Sequence, residues 1–86
     1  MWYAYILESL KNQTLYVGYT SDLRQRFKRH NMMRGGVYTS KNSPYKLIFY
    51  EAFLEKKDAM RAEKFFKSGY GREVLKGKLE DYFNNR

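Results

Sequence analysis

The chain has 86 residues, a mass of 10.4 kDa and a formal charge of +8, from 17 Lys and Arg against 9 Asp and Glu. This length predicts a single domain, and the absence of cysteine with only one histidine excludes a disulfide scaffold, a zinc finger and a thiol nucleophile. No apolar run reaches the roughly 18 residues of a membrane span and no signal peptide opens the chain, so we expect a soluble, cytoplasmic protein without a membrane partner.

The positive charge is concentrated in one part of the chain. Residues 20–46 carry seven basic residues and one acid, which accounts for six of the eight excess charges. The basic residues are Arg24, Arg26, Lys28, Arg29, Arg34, Lys41 and Lys46, and the acid is Asp22. A solvated surface without a partner does not require this bias, so the distribution indicates a polyanionic partner such as nucleic acid.

The chain opens with a predicted β-hairpin over residues 2–19. Residues 2–8 (WYAYILE) and 15–19 (LYVGY) are aromatic and β-branched, and the polar residues 11–13 lie between them. Two strands so close in sequence pair antiparallel. A basic helix over 21–33 follows, because residues 20–22 (TSD) offer an N-cap before an amphipathic segment.

A loop up to Pro44 separates this helix from the second half of the chain. Residues 45–53 (YKLIFYEAF) predict a third strand, and 56–67 predict a helix that ends at Gly69. A C-terminal helix is predicted over 73–83. The order β-β-α-β-α-α predicts an α+β fold, with a small, mostly antiparallel three-stranded sheet flanked by helices.

Five residues form a candidate catalytic constellation. A hairpin turn near residues 10 and 11 places Tyr5 and Tyr16 roughly opposite each other on one sheet face. Arg26 and His30 are four residues apart and therefore share one face of the first helix. Glu63 lies among the apolar positions of the second helix, where an unpaired carboxylate is costly.

At these residues the sequence resembles the GIY-YIG nuclease superfamily, in particular small members that look like the nuclease domain of the bacterial excinuclease C subunit. The second motif of the family stands here as residues 16–18 (YVG), and the first motif falls on residues 3–5 (YAY), where only the final Tyr agrees. Arg26 falls at the position of the helix arginine of the family, and His30 where many members have His or Tyr. Residues 59–64 (AMRAEK) match the segment that holds the metal-binding Glu, at Glu63.

The resemblance implies phosphodiester hydrolysis with one divalent metal, Mg²⁺ or Mn²⁺. Glu63 would hold the metal and Arg26 would bind the phosphate. Tyr16 would orient or deprotonate the attacking water with Tyr5 as its partner, and His30 would support Tyr16 or contact phosphate. The resemblance therefore implies a DNA endonuclease. Selectivity for particular DNA structures and a role in DNA repair or processing are compatible with it.

Other interpretations remain open at this point. Many nucleases of the superfamily use an Asn on the last helix, and residues 69–79 contain none, so a catalytically weak nucleic-acid-binding module of the same fold is the alternative function. Glu63 is also spaced to pair with Lys67, and both tyrosines are ordinary strand residues. Gly18 is interpreted as allowing the strand and the first helix to approach closely.

The candidate nucleic-acid contacts outside the constellation are all basic. They are Arg24, Lys28, Arg29, Arg34 and Lys41. Such contacts bind phosphates without reading sequence, so any substrate preference would come from nucleic-acid shape or from a protein partner. DNA is favoured over RNA as the partner, and the oligomeric state is left open.

Overall fold

The computed structural model describes residues 1–31 and 42–86, in which three strands form one antiparallel sheet. The strands are β1 (Trp2–Ser9), β2 (Leu15–Thr20) and β3 (Tyr45–Phe53). The central strand is β1, which pairs antiparallel with β2 on one side and with β3 on the other. Aromatic and β-branched residues fill these segments, as is typical of strands. Together with the helices that follow, this sheet confirms the predicted α+β fold.

Four helices surround the sheet in the described part of the chain. They are α1 (Leu23–Asn31), α2 (Lys56–Lys67), α3 (Gly69–Lys78) and α4 (Glu80–Asn85). The first begins at Leu23, two residues later than predicted, because the Asp22 carboxylate accepts the backbone N–H of Gln25 at 3.0 Å and caps the helix there. Residues 32 and 33, the predicted end of this helix, lie outside the described residues. Within 1–31 and 42–86 no helix has the length and apolar character needed to span a membrane.

The C-terminal region differs from the single helix predicted over 73–83. The structure has two helices there, because the backbone of Leu79 leaves the helical range (φ −118°, ψ 33°) and its side chain packs against the apolar core. Gly69 does not end the second helix but begins α3, which is capped by Ser68. The Ser68 hydroxyl accepts the backbone N–H of Gly71 at 3.0 Å.

The two faces of the sheet are covered by different helices. On one face α1 packs over a cluster that contains the buried residues Tyr5, Leu7 and Tyr45. The opposite face packs against α2 and α3, with the buried residues Ile6, Val17, Phe66 and Leu75. Neighbouring residues of a strand point to opposite faces, so the adjacent Tyr5 and Ile6 enter different cores.

The hairpin register sets the relative positions of the two candidate tyrosines. Tyr5 faces Gly18 across the β1–β2 pair, whereas Tyr16 faces Leu7. The two tyrosines therefore share a sheet face, as predicted, but they are diagonal neighbours and not direct partners. The reason is a turn centred one residue later than expected, with Gln13 in the left-handed region at φ 64°.

Candidate active site

A cleft of about 360 Å³ brings together residues from four elements of the fold. Its lining consists of Trp2, Tyr5, Tyr16, Gly18, Tyr19, Thr20, Ser21, Arg26, Lys56 and Glu63. Four of the five predicted catalytic residues are in this set, although they come from β1, β2, α1 and α2. Two larger clefts open on the described surface, and neither gathers these residues. The candidate site is therefore identified by the residues that line the cleft and not by the volume of the cleft.

His30, the fifth predicted residue, lies behind the cleft. Its side chain is buried, and its Nε2 is 3.1 Å from the hydroxyl oxygen of Tyr5. The His30 ring also packs against the Tyr16 ring, with centroids 4.6 Å apart. The histidine thus contacts both candidate catalytic tyrosines, Tyr5 and Tyr16.

Both members of the Tyr5–His30 pair are held in their neutral forms. Burial raises the pKa of Tyr5 far above its ordinary value; Tyr16 adds to the effect and Arg26 opposes it. Burial also lowers the pKa of His30 to about 4, with the positive charges of Arg26 and Arg29 contributing. A neutral phenol and a neutral imidazole share one hydrogen bond at pH 7, and either ring can supply the proton.

Gly18 provides the space that the Tyr5 hydroxyl occupies. A Cβ atom at this position would lie 2.5 Å from the Tyr5 hydroxyl oxygen and 2.7 Å from Cζ. The close approach that requires glycine is therefore between β2 and the Tyr5 side chain, and not between the strand and α1 as the sequence suggested. The glycine of the second motif consequently positions a candidate catalytic group.

Arg26 reaches the cleft from the first turns of α1. Its backbone N–H donates to the carbonyl oxygen of Asp22 at 3.0 Å, which places it one turn beyond the helix start. Its guanidinium interacts with the Tyr5 hydroxyl, where it favours the ionised phenol. The positive charge of Arg26 therefore lies beside Tyr5, the more buried of the two candidate tyrosines.

Among residues 1–31 and 42–86, Glu63 is the only acid that lines the cleft. Its side chain is 20% exposed, and Lys67 Nζ lies 3.4 Å from one of its oxygens. The structure therefore contains both the cleft-facing carboxylate and the i,i+4 ion pair that the sequence allowed. No group of three or more His, Cys, Asp and Glu forms a metal site within the described residues. A single carboxylate of this kind suits a hard cation that keeps several of its waters and is completed by substrate phosphate.

Sequence reasoning missed Trp2 and Lys56, which also line the cleft. Lys56 Nζ lies 5.2 Å from the centre of the Trp2 ring, and the Tyr19 ring is 6.3 Å from that of Trp2. Lys56 precedes Glu63 by seven residues, which is two helical turns, so the two share a face of α2. The spacing of Lys56 from Glu63 could have indicated that Lys56 lines the cleft. No residue near Trp2 in the sequence indicates that Trp2 does so.

The predicted nucleic-acid contacts are only partly described. Arg24, Lys28 and Arg29 are exposed on α1, beside the cleft that contains Arg26. Arg34 and Lys41 lie outside the described residues.

The fold and the cleft together define a nuclease-type catalytic domain. A family model described as the GIY-YIG catalytic domain matches residues 1–78. The chain therefore belongs to the GIY-YIG family, as the motifs predicted. Membership supports a nuclease-type role on nucleic acid, and GIY-YIG nucleases generally use a divalent metal.

Within this family the chain is similar to UPF0213 proteins. A UPF0213 protein of Streptococcus agalactiae serotype V is 48% identical over 65 residues, which cover 76% of this chain and 73% of that protein. A UPF0213 protein of Pediococcus acidilactici is 49% identical over 67 residues, which cover 76% and 68%. The solution NMR structure of a UPF0213 protein from Bacillus halodurans has 40% identity and a TM-score of 0.53, covering 87% of this chain and 82% of that chain. These names state no activity.

Proposed function

We propose that the protein is a metal-dependent endonuclease that hydrolyses DNA phosphodiester bonds in the 360 Å³ cleft. The observation that carries the proposal is the convergence of Tyr5, Tyr16, Arg26 and Glu63, which are up to 58 positions apart in the sequence, on one surface. A purely structural role could explain each residue separately, but it does not explain why all four line the same cleft. Repair or processing of DNA, with selectivity for DNA structure, is the role that this activity would fit.

Arg26 and Glu63 carry the charges that the reaction needs. The planar guanidinium of Arg26 binds the scissile phosphate and stabilises the charge that develops on it. Glu63 would hold Mg²⁺ or Mn²⁺ through one carboxylate, which its position in the cleft and its accessibility allow. A divalent ion there supplies Lewis-acid stabilisation of the phosphate and of the leaving oxygen.

The two tyrosines have different environments and therefore different roles. Tyr16 orients or deprotonates the attacking water. Tyr5 is only 1% exposed and stays neutral because burial raises its pKa, so it acts as a hydrogen-bonding group that fixes the positions around it. His30 holds the Tyr5 hydroxyl and packs on the Tyr16 ring, which makes it a positioning residue for both.

The exposed bases of α1 bind the DNA backbone next to the cleft. Arg24, Lys28 and Arg29 are solvent-accessible, and phosphate contacts of this kind carry no sequence information. Binding is expected to weaken steeply as salt concentration rises, because each neutralised phosphate releases counterions. We assign the same role to Arg34 and Lys41 from their charge alone.

The first test replaces the carboxylate proposed to hold the metal. We expect Glu63→Gln to lower nicking of supercoiled plasmid with Mg²⁺ or Mn²⁺ at least about 100-fold, since metal stabilisation of the transition state is worth several kcal/mol. Glu73→Gln is the matched control, because Glu73 is an exposed α3 carboxylate paired with Lys76. Equal nicking by the two variants would contradict the proposal.

Arg26→Ala tests the phosphate-binding group in the same assay. We expect turnover to fall roughly 100- to 1000-fold, the usual effect of removing one donor to developing negative charge. Arg61→Ala is the control, since Arg61 is an exposed α2 residue that pairs with Asp58. Thermal melting of both variants separates a loss of chemistry from a loss of folding.

A catalytically weak binding module is the second candidate function. The observation in its favour is the position of Asn84 and Asn85, because α4 lies at the Glu8 end of β1 through the bond from Tyr82 to Glu8. Neither Asn is among the residues that line the cleft, so the described site contains no counterpart of the late Asn of the superfamily. DNA binding without turnover across metals and substrates would favour this candidate.

A further inference from the structure

A second cleft, of about 490 Å³, adjoins the candidate active site. It lies between the start of α1 and the strands β1 and β3, and its lining includes Tyr3, Tyr50 and Arg24. Ser21 lines both clefts, so the two open onto the same stretch of surface. A strand that leaves the active site in this direction meets the second cleft next.

The second cleft presents an accessible aromatic pair. Tyr50 is 52% exposed, and its ring makes an edge contact with the Tyr3 ring at a centroid distance of 5.9 Å. Tyr5, the register partner of Tyr50 on β1, is 1% exposed, so the neighbouring tyrosine on the same face is closed off. An exposed ring held by a second ring is a platform on which a nucleic-acid base can stack.

The charge of the second cleft suits a phosphodiester strand. Arg24 lines it and is exposed, and Lys28 follows one helical turn later on the same face of α1. Asp22 also lines it, but one of its carboxylate oxygens accepts the backbone N–H of Gln25 at 3.0 Å, so the acid is engaged in capping α1. A base platform and cations for the adjoining phosphate are thus within one cleft.

The spacing along β1 relates this platform to the scissile position. Tyr3 and Tyr5 are two residues apart and face the same way, which separates them by about 7 Å along the strand. That is about one nucleotide step of an extended strand. A base on the Tyr3–Tyr50 platform therefore belongs to a nucleotide close to the one whose phosphate lies in the active site.

We propose that the Tyr3–Tyr50 cleft binds an unpaired nucleotide that flanks the scissile phosphate, so that the substrate is DNA with a single-stranded segment at the cleavage site. The proposal rests on the proposed function and specifies its substrate class. A base within a duplex is covered by its stacked neighbours and cannot use the platform, whereas an unpaired base can. The platform therefore favours single-stranded or branched DNA over continuous duplex.

The test measures binding without metal, so that it does not depend on turnover. Fluorescence anisotropy is recorded for a short labelled oligothymidine and for a blunt hairpin duplex, with wild type and Tyr50→Ala. We expect Tyr50→Ala to weaken oligothymidine binding roughly 5- to 150-fold, the range for loss of one stacked base, with a change below about 2-fold for the duplex. Tyr50→Phe keeps the ring and is expected to bind like wild type.

Tyr70→Ala is the matched control, because Tyr70 is 74% exposed on α3 and lines neither of the two clefts. The proposal is overturned if Tyr50→Ala binds oligothymidine as well as Tyr70→Ala does, or if it weakens duplex binding equally. It is also overturned if wild type binds the duplex as tightly as the single strand. A failed nuclease assay with retained stacking would instead reject the proposed function and leave the single-strand site standing.

Discussion

The sheet face under α1 buries tyrosines and a histidine, whereas the face under α2 and α3 buries mainly aliphatic side chains. The α1 face includes Tyr5 and Tyr45 with His30 nearby, and the opposite face includes Ile6 and Leu75. Polar aromatic groups need hydrogen-bond partners when buried, which constrains their orientation more than apolar packing does. The α1 face thus fixes chemically useful groups in place, while the other face supplies most of the apolar stabilisation.

The two faces meet at the candidate site. Glu63 comes from a helix that packs on the apolar face, and Arg26 comes from the helix on the aromatic face. The cleft joins them where β2 ends and α1 begins. We expect substitutions in the apolar face to change stability and substitutions in the aromatic face to change activity at a smaller cost in stability.

The largest expected effect concerns the apolar face. Phe66 is 2% exposed and packs on Phe49, with ring centroids 5.5 Å apart, whereas the adjacent Phe65 is 36% exposed. We expect Phe66→Ala to lower the free energy of unfolding by about 3–5 kcal/mol, and Phe65→Ala to lower it much less. Urea denaturation followed by circular dichroism measures both. Similar losses in the two variants would show that this face is not the main stabilising core.

The next effect compares two glycines. Gly18→Ala places a Cβ atom 2.5 Å from the Tyr5 hydroxyl oxygen, and we expect it to cost about 1–3 kcal/mol of stability and to displace Tyr5. Gly77→Ala is the control, since no atom lies within 4 Å of its Cβ position on α3. There the loss of unfolded-state freedom is expected to stabilise by about 0.4–1 kcal/mol. Opposite signs in thermal melting are the expected result; a neutral Gly18→Ala would contradict the Tyr5 packing.

The third comparison concerns the pH dependence of the aromatic face. The folded-state pKa of His30, about 4, is below its unfolded value of about 6.5, so the unfolded chain binds the proton more readily. The contribution of neutral His30 to the free energy of unfolding is therefore fully present above pH 6.5. It is lost as the pH decreases toward 4, with a limiting slope of about 1.4 kcal/mol per pH unit.

Replacing the histidine isolates this contribution. We expect His30→Gln to flatten the stability profile between pH 6.5 and 4, even though it loses the bond to Tyr5. Urea midpoints at several pH values for wild type and variant provide the measurement. An unchanged slope in the variant would mean that other groups cause the acid loss.

Much of the fold was predictable because local signals were strong. The ranges 45–53 and 56–67 coincide with the observed third strand and second helix, and α1 begins two residues after its predicted start, next to the predicted capping segment. Gly77 is a local signal that weakens the predicted helix, but the position of the break at Leu79 depends on packing of that side chain against the apolar core. The wrong prediction of one helix over 73–83 thus reflects a tertiary contact.

The candidate site was predictable in composition but not in arrangement. Spacing and motif resemblance selected Tyr5, Tyr16, Arg26 and Glu63, and the structure brings these four to one cleft. The stacking partners around them were not predictable. Trp2 lines the cleft beside Tyr19 of β2, and no residue near it in sequence indicates this.

By itself, the sequence determined the charge of the protein, the type and order of its strands and first two helices, and the residue types available to the candidate site. Those properties depend on neighbours a few positions away and on side-chain chemistry. Only the tertiary structure decided that Tyr5 lies over Gly18, that His30 is buried against Tyr5, and that a platform at Tyr50 adjoins the cleft. Strand register and helix packing set these contacts, and both depend on the whole core forming at once.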